Sequence, residues 1–421
     1  MMRQAYRFSA RVASRVPLPR GRLAESLAGR SAAEARWQVW ARDHRRGGPL
    51  VWVHGASVGE SLTAAPIVAR LRSARPDVRV VQSFSSPSVV DWPVPFPREH
   101  ADYLPLDEPG PMGRVLDAVH PSLVMLVRGD MWPELLWQAG ARRIPVALAG
   151  ASVRPTSLRL RFPVSRLYAD ALRSVTWIGA ATADDVGRLQ RMGAEKSRME
   201  HTGDPRHDQV LERTVDLAAV HGLVEWATQG PTLVAGSVEA SDESVLLAAA
   251  VTVLNRWPDA RLLIVPHRPE TSTVERIQSL AGDRGLPATV WTPTAEGAPT
   301  ARCVIVAAQG LLNDLYTLGA LAYVGGGFRR GMLHATIEPA AVGLPVLFGP
   351  YWETSADAAA LVRARCTVPL GGSGADAFLA ATWQRWIDDA RLRWETGLCA
   401  RASLAQGAAS RTVARLLPLL D

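Results

Sequence analysis

Residues 54–60, His-Gly-Ala-Ser-Val-Gly-Glu, follow an apolar run and open a helical stretch. Gly55 and Gly59 let the backbone approach a ligand closely, and Ser57 can begin a helix whose N–H groups face an oxygen-rich molecule. Ser57 and Gly59 are therefore candidate ligand-binding residues. A carboxylate beside such a loop can accept a proton, so Glu60 is a candidate general base.

A structural role is equally compatible with this spacing, because Ser57 followed by Glu60 is the pattern of a helix capping box. Asp130 is a second candidate catalytic carboxylate, in the segment 128–133 that follows another apolar run. Its structural alternative is a plain helix N-cap. Capping and catalysis are not exclusive, because a capping carboxylate that borders a ligand can still take up a proton.

Residues 324–331, Val-Gly-Gly-Gly-Phe-Arg-Arg-Gly, form a glycine-rich loop between a predicted strand and a predicted helix. Such a loop can cradle a phosphate, with Gly326 and Gly327 at its centre. His334 would contact this phosphate, and Glu338, one helical turn further on, would bind ribose hydroxyls. The alternative is a packing loop, with Glu338 a solvated helix residue.

Three further basic residues follow strands or turns. His267 and Arg268 come directly after an apolar run and could neutralise a nucleotide phosphate. Arg206, in the segment 203–208, could serve the same purpose, although this segment is as well explained by a hinge turn. These residues complete a candidate nucleotide-binding set in the second half of the chain.

The elements that must position these residues alternate between short apolar runs and amphipathic stretches, a pattern typical of βαβ units and parallel sheets. Strands are predicted at 50–53, 78–84, 123–127, 146–148 and 176–180, then at 232–235, 262–265, 304–306, 321–324 and 346–348. Helices are predicted at 62–71, 164–173, 184–192, 241–254, 273–281, 337–342 and 356–362. We expect an α/β fold with two doubly wound, Rossmann-like domains facing a cleft, residues 49–210 and residues 211–421 with the C-terminal helices.

Composition supports a folded chain with two cores, since 421 residues exceed one ordinary domain and 48% of them are hydrophobic. The three cysteines, Cys303, Cys366 and Cys399, are widely spaced. They predict neither a disulfide framework nor a zinc site, and fit a reducing compartment.

Residues 1–48 form a basic segment. Residues 1–50 contain eleven arginines and three acidic residues, which gives this segment a net charge of +8. The whole chain carries +7, so the residues after position 50 carry −1. Nucleic-acid binding by the whole protein therefore loses its main support. Arginines recur every four residues at Arg3, Arg7, Arg11 and Arg15, as on one stripe of a helix. This pattern predicts a helix that contacts an anionic membrane surface; the alternative is a solvated basic tail.

Several of these segments together resemble the Kdo (3-deoxy-D-manno-octulosonic acid) transferase family, from about residue 35 to about residue 400. Residues 54–60 match the family's opening signature except at Gly55. The stretch 324–350 is the most specific match, and residues 130–133 and 203–208 resemble two further family motifs. Four further positions depart from the family pattern: Asp130 replaces a glutamate, Met332 and Leu333 replace small residues, and Ala335 stands where an asparagine is common.

The resemblance implies a GT-B fold and an inverting, metal-independent transfer of Kdo from CMP-Kdo to a lipid A precursor, in lipopolysaccharide synthesis at the cytoplasmic face of the inner membrane. It implies that Glu60 is the general base, with Asp130 beside it and Ser57 and Gly59 on the acceptor. Arg206, His267, Arg268, Gly326, Gly327, His334 and Glu338 would hold the donor. It implies no cofactor, no metal ligand and no nucleic-acid partner. The alternatives are another GT-B sugar-nucleotide enzyme, such as a lipid A disaccharide synthase or an epimerase, and a weakly active or non-catalytic paralogue.

Overall fold

A computed structural model describes residues 2–15, 21–92 and 96–420 of the chain. The chain forms two compact units. The first comprises Met1–Gln209 and Ala405–Asp421, and the second comprises Val210–Leu404. Each unit has a parallel sheet with helices packed on it, so the predicted α/β fold with two Rossmann-like domains is confirmed.

The first unit is built on a sheet of seven strands within the described residues, ordered β3-β2-β1-β4-β5-β6-β7. The strands are β1 Leu50–His54, β2 Arg79–Phe84, β3 His100–Tyr103, β4 Leu123–Val127, β5 Val146–Ala151, β6 Trp177–Ala180 and β7 Met199–His201. The helices are α1 Met2–Ala13, α2 Arg22–His44, α3 Val58–Ala74, α4 Pro109–Val119, α5 Pro133–Ala141, α6 Val164–Leu172 and α7 Ala183–Arg191, and α8 Pro205–Glu212 begins in this unit and ends in the second. Strands β1, β4 and β5 are buried along their whole length, because helices cover both faces of the sheet.

The second unit is built on six described strands ordered β10-β11-β9-β8-β12-β13. The strands are β8 Thr232–Val238, β9 Arg261–Pro266, β10 Ala288–Trp291, β11 Cys303–Val306, β12 Leu321–Val324 and β13 Val346–Phe348. The helices are α9 His221–Thr228, α10 Ala240–Arg256, α11 Thr271–Gly282, α12 Leu312–Tyr316, α13 Ile337–Ala341, α14 Ala356–Arg363, α15 Ala375–Asp388 and α16 Ala390–Ala402.

The last helix, α17 Ala408–Leu416, belongs to the first unit, although the sequence assigns everything after residue 210 to the second domain. Its apolar face, which includes Val413, shares a core with Ile67 of α3. The buried carboxylate of Asp208 accepts the N–H groups of Gly407 and Ala409 at 2.6 and 2.7 Å. Because these contacts join residues about two hundred positions apart, the local pattern could not reveal them.

The basic stripe of α1 contacts the protein itself rather than only solvent or lipid. Arg7 makes hydrogen bonds of 2.8 and 2.9 Å to the buried carboxylate of Glu134, and Arg3 pairs with Asp170 at 2.6 Å. Arg11 lies 3.9 Å from Glu108. Acidic residues of the first unit thus pair with three of the four arginines that were predicted to contact an anionic surface.

One disulfide, between Cys366 and Cys399, joins the segment after α14 to α16 in the second unit, where the sequence predicts none. The prediction was wrong because the two cysteines lie 33 positions apart without a motif. Packing of α16 beside the end of α14 brings their Cα atoms to 5.5 Å, within the range that a disulfide requires.

Candidate functional site

Glu60 lies in the first turn of α3, directly after β1, and its side chain is partly buried. Its Oε2 accepts the Ser57 N–H at 3.0 Å, and Ser57 and Glu60 form the capping box that the sequence allows. The helix start therefore fixes the carboxylate in one orientation. The capping role does not exclude chemistry, because the second oxygen stays available to a ligand.

Asp130 follows β4, the neighbour of β1 in the sheet, so the two carboxylates emerge from adjacent strands. Its Oδ2 lies 3.0 Å from His54 Nε2 and accepts the Trp132 indole N–H, also at 3.0 Å. His54 is fully buried at the end of β1, and its Nδ1 lies 2.8 Å from the Ser83 hydroxyl of β2. Neighbouring strand ends thus converge on one polar cluster.

The two carboxylates have opposite pKa shifts. Burial, together with the negative charge of Asp130, raises the pKa of Glu60, while the charges of His54 and Arg128 partly offset this rise. Burial also acts against ionisation of Asp130, but its hydrogen bonds to His54 and Trp132 lower its pKa overall. Glu60 is thereby suited to take up a proton while Asp130 stays ionised, and such divergent pairs are typical of catalytic sites.

The backbone after β4 adopts an unusual conformation beside this pair. Arg128 has φ of 64°, in the left-handed region that non-glycine residues seldom adopt. Its N–H donates to Ala149 O of β5 at 2.9 Å, and its guanidinium contacts Asp204 at 3.3 Å. Held in this way, the residue re-aims the chain so that Asp130 faces His54.

Positioning residues that the sequence did not reveal surround Asp130. Arg159 donates to the carbonyl of Gly129, and the guanidinium of the buried Arg30 lies 3.8 Å from the Trp132 ring centre. Arg30 and Arg159 come from segments far from residue 130, so only the folded chain places them here. His54, by contrast, had a signal, because a histidine that ends a wholly apolar run is unusual.

Gly55 and Gly59, the two glycines of the segment 54–60, differ in their surroundings. A Cβ built on Gly55 would lie 3.1 Å from Ser61 N, so a side chain there would be crowded against the first turn of α3. A Cβ on Gly59 would meet no atom within 4 Å, and Gly59 is exposed. The side of α3 that carries Gly59 is thus open to a ligand, as its predicted role requires.

The glycine-rich loop follows β12 in the second unit. Gly326 has φ of 86°, and a Cβ there would lie 2.2 Å from Met332 O. Its N–H donates to Asp242 Oδ2 at 2.8 Å, so this group is already satisfied by the protein. A Cβ on Gly327 would lie 2.5 Å from Gly349 N. The glycines are therefore needed for close packing, the structural alternative that the sequence left open, and Gly326 shapes the loop through its conformation.

His267 and His334, both candidate donor-binding residues, lie together near this loop. Their rings stack with centroids 4.2 Å apart, and His334 Nε2 lies 3.1 Å from Glu239 Oε1. Arg268 is exposed beside them. Glu338 stands in the first turn of α13, where burial raises its pKa and Arg213 partly opposes that rise.

Arg206 belongs to the first unit, unlike the other candidate donor residues. Its guanidinium makes hydrogen bonds of 2.9 and 2.6 Å to Asp204 Oδ2, and Arg128 contacts the same carboxylate. Two arginines therefore share one buried acid after β7. This arrangement holds the guanidinium group of Arg206 in a defined position at the start of α8.

Solved structures of other proteins have the same fold. The chain aligns with a putative UDP-N-acetylglucosamine 2-epimerase from Listeria monocytogenes with a TM-score of 0.64 at 14% identity, over 88% of this chain and 96% of the other. It aligns with MurG of Acinetobacter baumannii with a TM-score of 0.54 at 14% identity, over 88% and 99%. These similarities, at such low identity, define the fold alone, which is of the GT-B type.

Sequence comparisons are more specific. The family model for 3-deoxy-D-manno-octulosonic-acid transferase (Kdo transferase) matches residues 30–209. The chain is 24% identical to the 3-deoxy-D-manno-octulosonic acid transferase of Haemophilus influenzae over 72% of this chain and 70% of the relative. It is 27% identical to that of Bordetella pertussis over 80% and 85%. The resemblance to the Kdo transferase family is thereby confirmed, by the family model over residues 30–209 and by these relatives over most of the chain.

Proposed function

We propose that this protein is an inverting glycosyltransferase that moves Kdo from CMP-Kdo to a lipid A precursor. The observation that carries the proposal is the carboxylate pair of Glu60 and Asp130, with opposed pKa shifts, inside the segment that the family model matches. Relatives along most of the chain are transferases of the same sugar by name, which supports the same reaction class here.

In the proposed reaction, Glu60 removes the proton from an acceptor hydroxyl as the oxygen attacks the anomeric carbon of Kdo. The bond from this carbon to the phosphate oxygen breaks, and CMP leaves with the bonding electrons. Glu60 suits this role because its raised pKa makes it a stronger base than an exposed glutamate. Asp130 stays ionised and, with His54, orients the polar groups that surround the base.

The second unit holds the donor in this proposal. Gly327 and the loop shaped by Gly326 border the CMP phosphate, and His267, Arg268 and His334 supply donor groups to it. Glu338 accepts the ribose hydroxyls. Arg206 is the remaining candidate for the donor, because its positive charge suits the negative charge that develops on a leaving phosphate. No step of this chemistry requires a cofactor.

The acceptor is proposed to be a lipid, reached at the cytoplasmic face of the inner membrane. No helix in the described residues is both long and apolar enough to span a bilayer. On α1 the side chains of Phe8 and Val12, four residues apart and therefore on one stripe, are 71% and 48% exposed. This apolar stripe is the part of α1 that we propose to insert between lipid headgroups, while its arginines anchor the helix to the protein.

Purified protein incubated with CMP-Kdo, generated in situ, and tetraacylated lipid A precursor tests the proposal. CMP release should accompany a mass gain of the lipid by one or more Kdo units. Turnover with a UDP-sugar in place of CMP-Kdo would favour another GT-B enzyme. Binding of CMP with no change in lipid mass would contradict the proposed acceptor or indicate a non-catalytic paralogue.

A further inference from the structure

Three potential metal ligands lie together in the second unit. Glu239 follows β8, His267 follows β9, and His334 lies beyond the loop after β12, and these strands are neighbours in the order β9-β8-β12. One carboxylate oxygen and one nitrogen of each ring lie within 4.8 Å of one another. The closest pair, Glu239 Oε1 and His334 Nε2, is 3.1 Å apart.

Hydrogen bonds fix the backbone of each of these residues. The Glu239 N–H donates to Asp242 Oδ2 at 2.8 Å. The His267 N–H donates to Val238 O at 3.0 Å, and the His334 N–H donates to Gly325 O at 3.2 Å. Glu239 and His267 are therefore anchored directly after adjacent strands, and His334 is tied back to the end of β12 through Gly325, which helps to preorganise a metal site.

The chemistry of this set favours zinc. Two imidazoles and one glutamate are the three protein ligands of many catalytic zinc sites, which keep a fourth position open. Mg²⁺ and Ca²⁺ prefer sets made of oxygen atoms. Tetrahedral zinc with bonds of about 2.0–2.1 Å needs ligand atoms roughly 3.3–3.4 Å apart. Glu239 Oε1 and His334 Nε2, at 3.1 Å, are slightly closer than that spacing, and all three ligand atoms lie within 4.8 Å of one another, so modest side-chain rotations can bring them to one ion.

We propose that Glu239, His267 and His334 form a Zn²⁺ site with one coordination position open, and that zinc bound there competes with the nucleotide donor. The competition rests on the proposed function, which assigns both histidines to the donor phosphate. Metal binding itself does not depend on that function. A histidine nitrogen that is bound to zinc cannot donate to a phosphate oxygen. Zinc is therefore an inhibitor in this proposal, and the transfer itself needs no metal.

Titration of the metal-stripped, full-length protein with Zn²⁺ tests the site. One ion should bind per chain, and binding should weaken by at least about tenfold in Glu239→Gln, His267→Ala and His334→Ala. The control is His221→Ala, an exposed histidine of the same unit whose ring contacts Ala218 O, and it should bind zinc like the wild type. Thermal unfolding of each variant shows whether it is folded. Equal zinc binding by the wild type and the three ligand variants would overturn the site.

CMP binding, measured with and without saturating Zn²⁺, tests the competition. The apparent Kd for CMP should rise with zinc in the wild type and stay constant in Glu239→Gln. Zinc binding that leaves the CMP affinity of the wild type unchanged would overturn the competition. A protein that binds zinc but binds no CMP even without it would confirm the metal site and refute the donor assignment, so the two failures are distinguishable.

Discussion

Replacement of Glu60 by glutamine should abolish most of the activity without harming the fold. The amide oxygen of glutamine can still accept the Ser57 N–H, now at 3.0 Å from the carboxylate, so the helix start is preserved. The negative charge of Asp130 disfavours the ionised form of Glu60, and the variant removes this repulsion. The free energy of unfolding should therefore not fall.

The loss concerns the transition state, because an amide cannot take up the acceptor proton. General-base catalysis contributes about 10²–10⁴-fold, which corresponds to roughly 2.7–5.4 kcal/mol of barrier. We expect kcat for CMP release to fall by this factor, while KM for the donor and the acceptor stays within about threefold.

The assay is continuous detection of CMP, with wild-type protein and Glu25→Gln measured in parallel. Glu25 is a matched control because it is an exposed carboxylate in the first turn of α2. A Glu60→Gln variant that keeps more than about a tenth of the wild-type kcat would refute the general-base role. A variant that loses activity only through a raised KM would assign Glu60 to binding instead.

Three further perturbations test the surroundings of the site. Asp130→Asn removes the charge that helps to raise the pKa of Glu60, so the acid limb of the kcat/KM profile, where protonation of the base stops the reaction, should move to lower pH. Arg7→Ala leaves a fully buried carboxylate without its cation and should cost about 1–3 kcal/mol, seen as a lower Tm. Phe8→Asp should weaken binding to anionic vesicles by at least about tenfold, because burial of a phenylalanine is worth roughly 1.5–3 kcal/mol.

Matched controls separate these effects from general damage. Arg15→Ala removes an exposed arginine near the end of α1 and should leave Tm unchanged. Leu217→Asp alters an exposed apolar residue of the second unit and should not affect vesicle binding. If the acid limb of the kcat/KM profile stays at the same pH in Asp130→Asn, the charge of Asp130 does not raise the pKa of Glu60. Equal vesicle binding by Phe8→Asp and the wild type would remove α1 from the membrane contact.

Strands that are buried along their length could be predicted from the sequence, including the edge strand β13, whereas the partly buried edge strands could not. Strands such as β4 and β12 are buried along their whole length and therefore appear as continuous apolar runs, and their bounds were predicted correctly. The missed strands β3, β7 and β10 lie at the sheet edges and are only partly buried. An edge strand pairs on one side and needs fewer apolar residues, so it lacks this signal.

The same distinction holds for the candidate site. Glu60 and Asp130 were predicted because each follows an interior strand, and pairing of β1 with β4 brings those strand ends together. Glu239 follows the interior strand β8 and had the same signal, although it was not predicted. Arg30 and Arg159 carry no such signal, because their partners are set by tertiary packing.

The N-terminal helix shows what a periodic pattern leaves undetermined. A spacing of four residues predicts that Arg3, Arg7 and Arg11 share a face of α1, and it says nothing about what covers that face. Their acidic partners lie about one hundred or more positions away in the chain. Once those partners neutralise the arginines, electrostatic attraction no longer selects this face for a membrane. What remains for a bilayer is the apolar stripe of Phe8 and Val12, so binding to lipid vesicles should depend more on apolar burial than on ionic strength.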